Sequence, residues 1–148
     1  ERLRSAQRLP TMTNTCTRLL DFDAAHRLLG HESLCAHNHG HRYRVEITCS
    51  AQLDAVGRVI DFSVIKQKVG ARMLEHWDHA TIPNGADAAY LAALEAMGET
   101  RVYRMDGNPT GERIASELLA VASRILAPIG VNRVRVWETP NCYADATP

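Results

Sequence analysis

Apolar and polar residues alternate along three stretches of the chain, which is typical of β-strands with one buried face. In the first stretch the apolar side carries Leu20, Phe22, Ala24 and His26. In the second it carries His39, His41, Tyr43, Val45, Ile47 and Cys49. In the third it carries Val134, Val136 and Glu138. Each apolar row therefore has an ionisable side chain at one end, which a hydrophobic core does not need.

Two further stretches carry apolar residues at every third or fourth position, as helices with one buried face do. The first ends near residue 77, and its predicted N-cap is Asp61 or Ser63. The second is predicted to begin after Asn108 as N-cap, with Pro109 in the first turn. The apolar face of this second helix consists of Ile114, Leu118, Val121 and Ile125. Residues 53–62 predict a turn and a short strand before the first helix.

The order strand, strand, helix, helix, strand predicts an α+β fold in which helices cover one face of an antiparallel sheet. A chain of 148 residues is long enough for one domain. We expect residues 1–12 to be an N-terminal extension that is not native, and residues 13–148 to form this domain. Residues 85–107, with a candidate helix at 87–97 and a short strand at 101–105, are expected to be an insertion.

Composition narrows the partners and the compartment. Lysine plus arginine and aspartate plus glutamate each total 17, so no strong field favours nucleic acid or an anionic membrane. No apolar run approaches the roughly 20 residues that span a bilayer, and no secretion signal is visible, so we expect a cytoplasmic protein. The four cysteines do not indicate a disulfide framework in such a chain.

Three of the histidines at the ends of the apolar rows are placed to bind one metal ion. His39 and His41 are two residues apart on one strand, so both project to the same side. His26 ends the preceding strand, and antiparallel pairing would bring it beside them. Three neutral imidazoles favour zinc and leave a fourth position for water or substrate. The competing interpretation, a turn with exposed rings, does not explain three histidines at buried-face positions.

Cys35, four residues before His39, has two interpretations that spacing does not separate. As a fourth ligand it would complete a structural zinc site of three histidines and one cysteine. As a free thiol beside a cation it would have a lowered pKa and serve as a base or nucleophile. Cys16, Cys49 and Cys142 lack such neighbours and are predicted to be ordinary core or surface residues.

Two further groups of residues become candidate functional residues because the chain also carries the predicted metal site and Cys35. Asp78 and His79 are adjacent in a predicted loop, where a carboxylate can orient an imidazole that exchanges a proton, although such pairs are more often solvated or capping residues. Glu138 lies on a face of valines, where a carboxylate needs a partner. That partner is either an arginine or a ligand with adjacent N–H donors.

The chain resembles the 6-pyruvoyltetrahydropterin synthase family, which includes the 6-carboxytetrahydropterin synthases of queuosine biosynthesis. The resemblance runs from about Leu19 to the C-terminus. The motifs that carry it, in family order, are "FDAAHRL", "CAHNHGH", "GRVIDF", "WDHATIPN", "NPTGE" and "VWET". Each motif alone is weak, whereas all six in this order are highly specific.

The resemblance implies roles for individual residues. His26, His39 and His41 would bind zinc. The catalytic residues would be Cys35, which removes a proton, Asp78 and His79 as its relay, and Glu138. The pterin-binding residues would be Glu138, Thr139, Thr110 and Glu112.

The resemblance also implies a fold, an assembly and a reaction. The fold would be the tunnelling fold, an antiparallel four-stranded sheet with two helices on one face, assembled by its sheet edges into a trimeric or hexameric barrel with active sites between subunits. The substrate would be 7,8-dihydroneopterin triphosphate. We expect 6-carboxy-5,6,7,8-tetrahydropterin, acetaldehyde and triphosphate as products. The alternatives are a 6-pyruvoyltetrahydropterin synthase, which eliminates triphosphate, and a non-catalytic, zinc-stabilised pterin-binding oligomer.

The sequence departs from the family pattern in two places. The segment between His79 and Asn108 is longer than usual, and "TIPN" replaces a more common leucine–asparagine pair. Both departures concern substrate access or subunit packing more than the fold.

Overall fold

Five strands form one mixed sheet in the computed structural model, which describes residues 12–148. The strands are β1 (Thr15–His26), β2 (His39–Ser50), β3 (Ala80–Thr81), β4 (Gly130–Thr139) and β5 (Cys142–Ala146). Their order across the sheet is β3-β1-β2-β4-β5. The pairs β1–β2, β2–β4 and β4–β5 are antiparallel, whereas β3 pairs with β1 in parallel. The expected antiparallel four-stranded sheet is therefore wrong in strand number and in the direction of β3.

Helices cover one face of this sheet. Residues 62–76 form α1 (Phe62–Ile65), a π-helical turn (Lys66–Gly70) and α2 (Ala71–His76) without a break. They are followed by α3 (Ala88–Ala96) and α4 (Gly111–Leu126). Three helical segments thus replace the two expected, since the 85–107 segment contributes α3. Among the described residues, none of these helices is long and apolar enough to cross a membrane.

The starts of the helices agree with the sequence in one case and differ in another. Asp61 caps α1 by accepting the N–H of Ser63 at 2.8 Å, as predicted. The cap of α4 is Thr110 and not Asn108, because the Asn108 side chain instead pairs with the backbone of Leu29. The short strand predicted within residues 53–62 is absent from this described segment, where bends and a turn follow one another.

The core lies between the helices and the inner face of the sheet, where the sequence alternation placed it. Its fully buried members include Tyr43, Val45, Ile47, Ile65, Val69, Ile114, Leu118, Val134 and Val136. Removing these apolar side chains from water is the main favourable term in folding. Because the core fixes which face of each strand points inward, it also fixes the side on which the terminal histidines lie.

The segment 85–107 packs along the outer edge of β3. Beyond α3, its backbone joins the edge at two isolated parallel bridges, which pair Thr81 with Val102 and Asn84 with Met105. That this segment is an insertion stays a prediction. The predicted N-terminal extension lies outside the described residues apart from Met12.

Candidate active site

Three histidine rings converge at one end of β1 and β2. The strand register places His26 opposite His39, and Ala24 opposite His41, so the three side chains share one face. One ring nitrogen from each histidine lies within 4.8 Å of the other two. The Nε2 atoms of His26 and His39 are 3.1 Å apart. These three residues could hold a metal ion.

Backbone carbonyls orient two of these rings. His26 Nδ1 lies 2.8 Å from the carbonyl oxygen of Pro109, and His39 Nδ1 lies 2.7 Å from that of His37. A carbonyl only accepts, so each Nδ1 carries the proton and donates it. Each Nε2 then presents its lone pair to the centre of the cluster, as metal-binding histidines do.

Burial disfavours the charged forms of two of these histidines, His26 and His41. Burial lowers the pKa of His26 to about 4, and the neighbouring rings of His39 and His41 add to this, while the Pro109 carbonyl opposes it. Burial also lowers the pKa of His41, and Glu138 partly opposes that shift. His41 Nε2 is a buried atom without a hydrogen-bond partner in the described chain. Three converging imidazoles and one orphaned nitrogen fit a divalent metal well.

Glu138 stands beside the histidine cluster. Its Oε1 lies 3.5 Å from His26 Nε2 and 3.7 Å from His41 Nε2. Within residues 12–148 no arginine pairs with it, so the ion pair considered from the sequence does not form there. Glu138, His41 and Thr139 also border a cleft of about 720 Å³ on the face of the sheet that the helices leave open. The carboxylate is therefore placed between the metal-binding residues and a space for a ligand.

Cys35 lies in the connection between β1 and β2, within a short 3₁₀ helix (Leu34–Ala36). It is half-buried, and its carbonyl accepts the N–H of Leu28 at 2.8 Å. Its thiol is not part of the three-histidine cluster. No hydrogen bond joins it to Asp78 or His79 among the described residues. Cys35 thus lies close in sequence to His39 and forms no hydrogen bond with the other predicted catalytic pair within residues 12–148.

Asp78 and His79 form a hydrogen-bonded pair at the turn before β3. His79 Nδ1 lies 3.0 Å from Asp78 Oδ2, and Asp78 Oδ1 accepts the N–H of Asp23 at 3.0 Å. Burial opposes ionisation of Asp78, but the Asp23 N–H, the His79 ring and Arg101 together lower its pKa. His79 has φ of 58°, a left-handed conformation that histidine adopts more readily than most residues, and its side chain is 73% exposed. The pair is ordered yet faces outward.

The three remaining predicted residues have local roles in this chain. Thr110 caps α4, its hydroxyl accepting the N–H of Arg113 at 3.2 Å. The hydroxyl of Thr139 accepts the N–H of Asn141 at 3.2 Å in the turn between β4 and β5. Glu112 is exposed in the first turn of α4 and lines, with Glu138, a cavity of about 100 Å³.

Two residues near the site were missed from the sequence. Asp23 forms a second group of possible metal ligands with Asp78 and His79. The Tyr43 hydroxyl lies 3.2 Å from His26 Nδ1, and burial raises its pKa strongly. The alternation along β1 places Asp23 on the opposite face from His26, and no local pattern in the sequence indicates that β3 lies beside Asp23. Tyr43 follows the histidines in the apolar row, where it resembles an ordinary core residue.

Comparisons with known proteins show which family the chain belongs to. The sequence model of the family described as 6-pyruvoyl tetrahydropterin synthase matches residues 15–148. A Rickettsia bellii protein named 6-carboxy-5,6,7,8-tetrahydropterin synthase is 36% identical over 137 residues, which cover 88% of this chain and 97% of that protein.

Solved structures share the fold. An uncharacterized protein of Wolinella succinogenes has a TM-score of 0.80 at 21% identity, covering 93% of this chain and 99% of that one. The 6-pyruvoyl tetrahydropterin synthase of Caenorhabditis elegans has a TM-score of 0.65 at 20% identity, covering 93% and 96%. The match of the family model to nearly the whole described chain, with the relative at 36% identity, shows that the chain belongs to the 6-pyruvoyl tetrahydropterin synthase family.

Proposed function

We propose that this chain is a 6-carboxytetrahydropterin synthase, a lyase that converts 7,8-dihydroneopterin triphosphate and one water molecule into 6-carboxy-5,6,7,8-tetrahydropterin, acetaldehyde and triphosphate. The observation that carries the proposal is the cluster of three converging histidines beside Glu138 and an open cleft. The name of the Rickettsia bellii relative, which aligns over most of both chains, supports the carboxy product.

His26, His39 and His41 would hold a zinc ion through their Nε2 atoms. Zinc is the expected metal because it prefers imidazole nitrogen and tolerates three protein ligands with an open position. When bound, zinc would polarise the side-chain oxygens of the substrate and stabilise the negative charge that develops there. The carbonyls of Pro109 and His37 orient the rings of His26 and His39 so that their Nε2 atoms would face the zinc ion.

Cys35, Asp78 and His79 would carry the proton transfers. The C6=N5 imine of the substrate acidifies the first carbon of its side chain, and Cys35 as a thiolate would take that proton. The Asp78 carboxylate holds the proton on His79 Nδ1, so Nε2 of the exposed ring is free to exchange a proton with the substrate. Triphosphate would leave by elimination, and cleavage of the side-chain carbon–carbon bond by one solvent water would then release acetaldehyde and leave the carboxylate on C6.

Glu138 would bind the pterin ring. An ionised carboxylate accepts two adjacent N–H donors in one plane, which is the pattern that a pterin presents. Because Glu138 Oε1 lies 3.5 Å from His26 Nε2 and 3.7 Å from His41 Nε2, a pterin ring bound to this carboxylate would lie next to the metal site. Thr139, Thr110 and Glu112 would supply further polar contacts around it.

The assembly would be a homo-oligomer, a trimer or a hexamer, with each active site shared between copies. Two features support sharing: His79 is mostly exposed, and Cys35 has no hydrogen bond to it within the described chain. Within residues 12–148, β3 pairs only with Ala24 and Ala25, so the rest of β1 has an open edge in this part of the chain, on which another copy could pair. His79 of one copy would then meet Cys35 of the next.

The test is turnover of 7,8-dihydroneopterin triphosphate by zinc-loaded oligomer, with the products identified by mass spectrometry and an acetaldehyde assay. A 6-carboxypterin with acetaldehyde, lost in Cys35→Ala but kept in Cys16→Ala, is the expected result. Cys16 is a suitable control because it lies at the opposite end of β1 from His26.

Other outcomes would contradict the proposed product. A pyruvoyl product without acetaldehyde would make the chain a 6-pyruvoyltetrahydropterin synthase. Pterin binding without turnover by metal-replete oligomer would indicate a non-catalytic, zinc-stabilised pterin-binding protein.

A further inference from the structure

Helix α3 lies against the loop that connects the metal ligands. Residues 27–38, here called the site loop, begin directly after His26 and end directly before His39, and they include Cys35. The first turn of α3 contributes Asp87 and Tyr90, which are 1% and 6% exposed. Both of these buried polar side chains contact residues at the ends of the site loop.

Asp87 holds the start of the loop. Its two carboxylate oxygens accept hydrogen bonds from Arg27 Nε and Nη2, both at 2.6 Å, and so form a bidentate ion pair. The hydrogen bond from Arg27 lowers the pKa of Asp87, while burial opposes it. Asp87 also caps α3 by accepting the N–H of Tyr90 at 3.2 Å. The same carboxylate therefore fixes the helix and the residue next to His26.

Tyr90 holds the end of the loop. Its hydroxyl donates a hydrogen bond to Oδ1 of Asn38, the residue next to His39. Its ring also lies under the Arg27 guanidinium, 5.0 Å from the centroid, which is a favourable cation–π distance. One tyrosine thus contacts both ends of the site loop, and links the residues that adjoin two metal ligands.

Asn108, which follows the segment 85–107, holds the part of the site loop that is hydrogen-bonded to Cys35. The Asn108 side chain accepts the N–H of Leu29 at 2.8 Å and donates to its carbonyl at 2.9 Å. Leu28, between Arg27 and Leu29, donates its N–H to the Cys35 carbonyl. The backbone of Cys35 is therefore bonded to a residue whose two neighbours are both held from outside the loop.

We propose that Asp87 and Tyr90 are positioning residues, which hold the site loop so that the metal ligands at its ends and Cys35 within it keep their reactive geometry. The inference rests on the proposed function for its activity readout, and it assigns a role to the segment 85–107. A buried carboxylate and a buried tyrosine are costly on a helix unless their polar groups are paired. Their partners here are the residues that flank the metal ligands.

The test compares Asp87→Asn and Tyr90→Phe with Glu95→Gln, an exposed substitution on the same helix. Asparagine caps a helix about as well as aspartate, so Asp87→Asn removes mainly the ion pair with Arg27. Tyr90→Phe keeps the ring and removes only the bond to Asn38. The readouts are affinity for Co²⁺ alone, amide hydrogen exchange across residues 27–38, and kcat and KM for 7,8-dihydroneopterin triphosphate.

Asp87→Asn should weaken Co²⁺ binding about 10-fold and lower kcat about 10-fold, in the range for residues that support metal ligands. KM should change less than kcat, because the loop carries Cys35 and not the pterin-binding carboxylate. Exchange should rise in the site loop, and Tyr90→Phe should show the same pattern at about 3-fold. Glu95→Gln should match the wild type.

The inference is overturned if both variants lose thermal stability but retain Co²⁺ affinity, loop protection and kcat, since that is a purely structural role. Should Asp87→Asn fail to fold, Tyr90→Phe decides by itself. If the wild type does not turn over the substrate, the proposed function fails, whereas Co²⁺ affinity and hydrogen exchange still decide the inference.

Discussion

The histidine cluster and the Asp78–His79 pair differ in how far one chain completes them. His26 is 1% exposed, and its cluster is assembled by two paired strands and oriented by backbone carbonyls. The His79 side chain is 73% exposed, although its own N–H is bonded to the Asp23 carbonyl at 2.6 Å and its ring to Asp78. The histidine cluster, which could hold a metal ion, is therefore assembled by the folding of one chain, whereas the His79 ring of the second pair is hydrogen-bonded to Asp78 and presented outward.

This difference predicts different responses to mutation. Changes in the histidine cluster should affect metal binding. Changes at its buried member, His26, should also affect the free energy of unfolding. A change at the exposed His79 ring should affect turnover alone.

Replacing His41 with alanine should abolish turnover. Removing one of three metal ligands should weaken Zn²⁺ or Co²⁺ binding by at least about 100-fold, since loss of a mere supporting group costs 10–100-fold. The metal-free protein should keep its thermal stability, because His41 Nε2 has no hydrogen bond to lose in the described chain. His37→Ala, at an exposed ring of the same connection, is the control. Unchanged metal affinity in His41→Ala would contradict the assignment of the cluster.

Cys35→Ala should lower kcat by about 10⁴-fold, the upper range for loss of a general base. Metal affinity should stay within a few-fold of wild type, because the thiol is not part of the cluster. The measurements are single-turnover kinetics and Co²⁺ titration. A variant that loses the metal would instead support the site of three histidines and one cysteine, with Cys35 as a structural ligand.

The metal-free protein should lose stability as the pH falls from about 6.5 to about 4. Burial lowers the pKa of folded His26 from 6.5 to about 4, so the unfolded chain binds more protons in this window. The loss should be on the order of 3 kcal/mol in the free energy of unfolding, and it is absent above the unfolded pKa. Urea denaturation at several pH values measures it. His26→Gln should flatten the dependence and the exposed His79→Gln should not; equal slopes in both would contradict the difference in burial.

Thr110→Ala should cost about 1 kcal/mol of stability, since its hydroxyl caps α4. If Thr110 also contacts the pterin, KM should rise while kcat changes little. Thr110→Ser retains the cap and serves as the control in thermal melts and steady-state assays. A KM change in Thr110→Ala that Thr110→Ser fails to reverse would show that the threonine methyl, and not the hydroxyl, makes the contact.

The sequence predicted the parts of the molecule that depend on local periodicity. Alternation with a period of two determined which side of β1 and β2 is buried, and hence that His26, His39 and His41 share a face. The carbonyls that orient the rings were not predictable in the same way. The Pro109 carbonyl meets His26 through a contact between residues 83 positions apart, and no local pattern indicates it.

The errors have similar physical causes. β3 has two residues, too few for alternation to be visible, and β5 is an edge strand in which only Ala146 is buried. Asn108 was expected to cap α4 because asparagine favours that position, but its side chain is engaged by Leu29, 79 residues away. Tertiary contacts prevailed over local preference in this case. The cytoplasmic location and the extent of the domain stay predictions.

The most direct measurement of the central claim is subunit mixing between Cys35→Ala and His79→Ala oligomers. Each variant alone should be nearly inactive while binding metal normally. After dissociation and random reassembly, sites that take Cys35 from one copy and His79 from another should restore about a quarter of wild-type activity. No recovery, in mixed oligomers shown by mass spectrometry to contain both variants, would mean that each site is completed within one chain and that His79 does not act across copies.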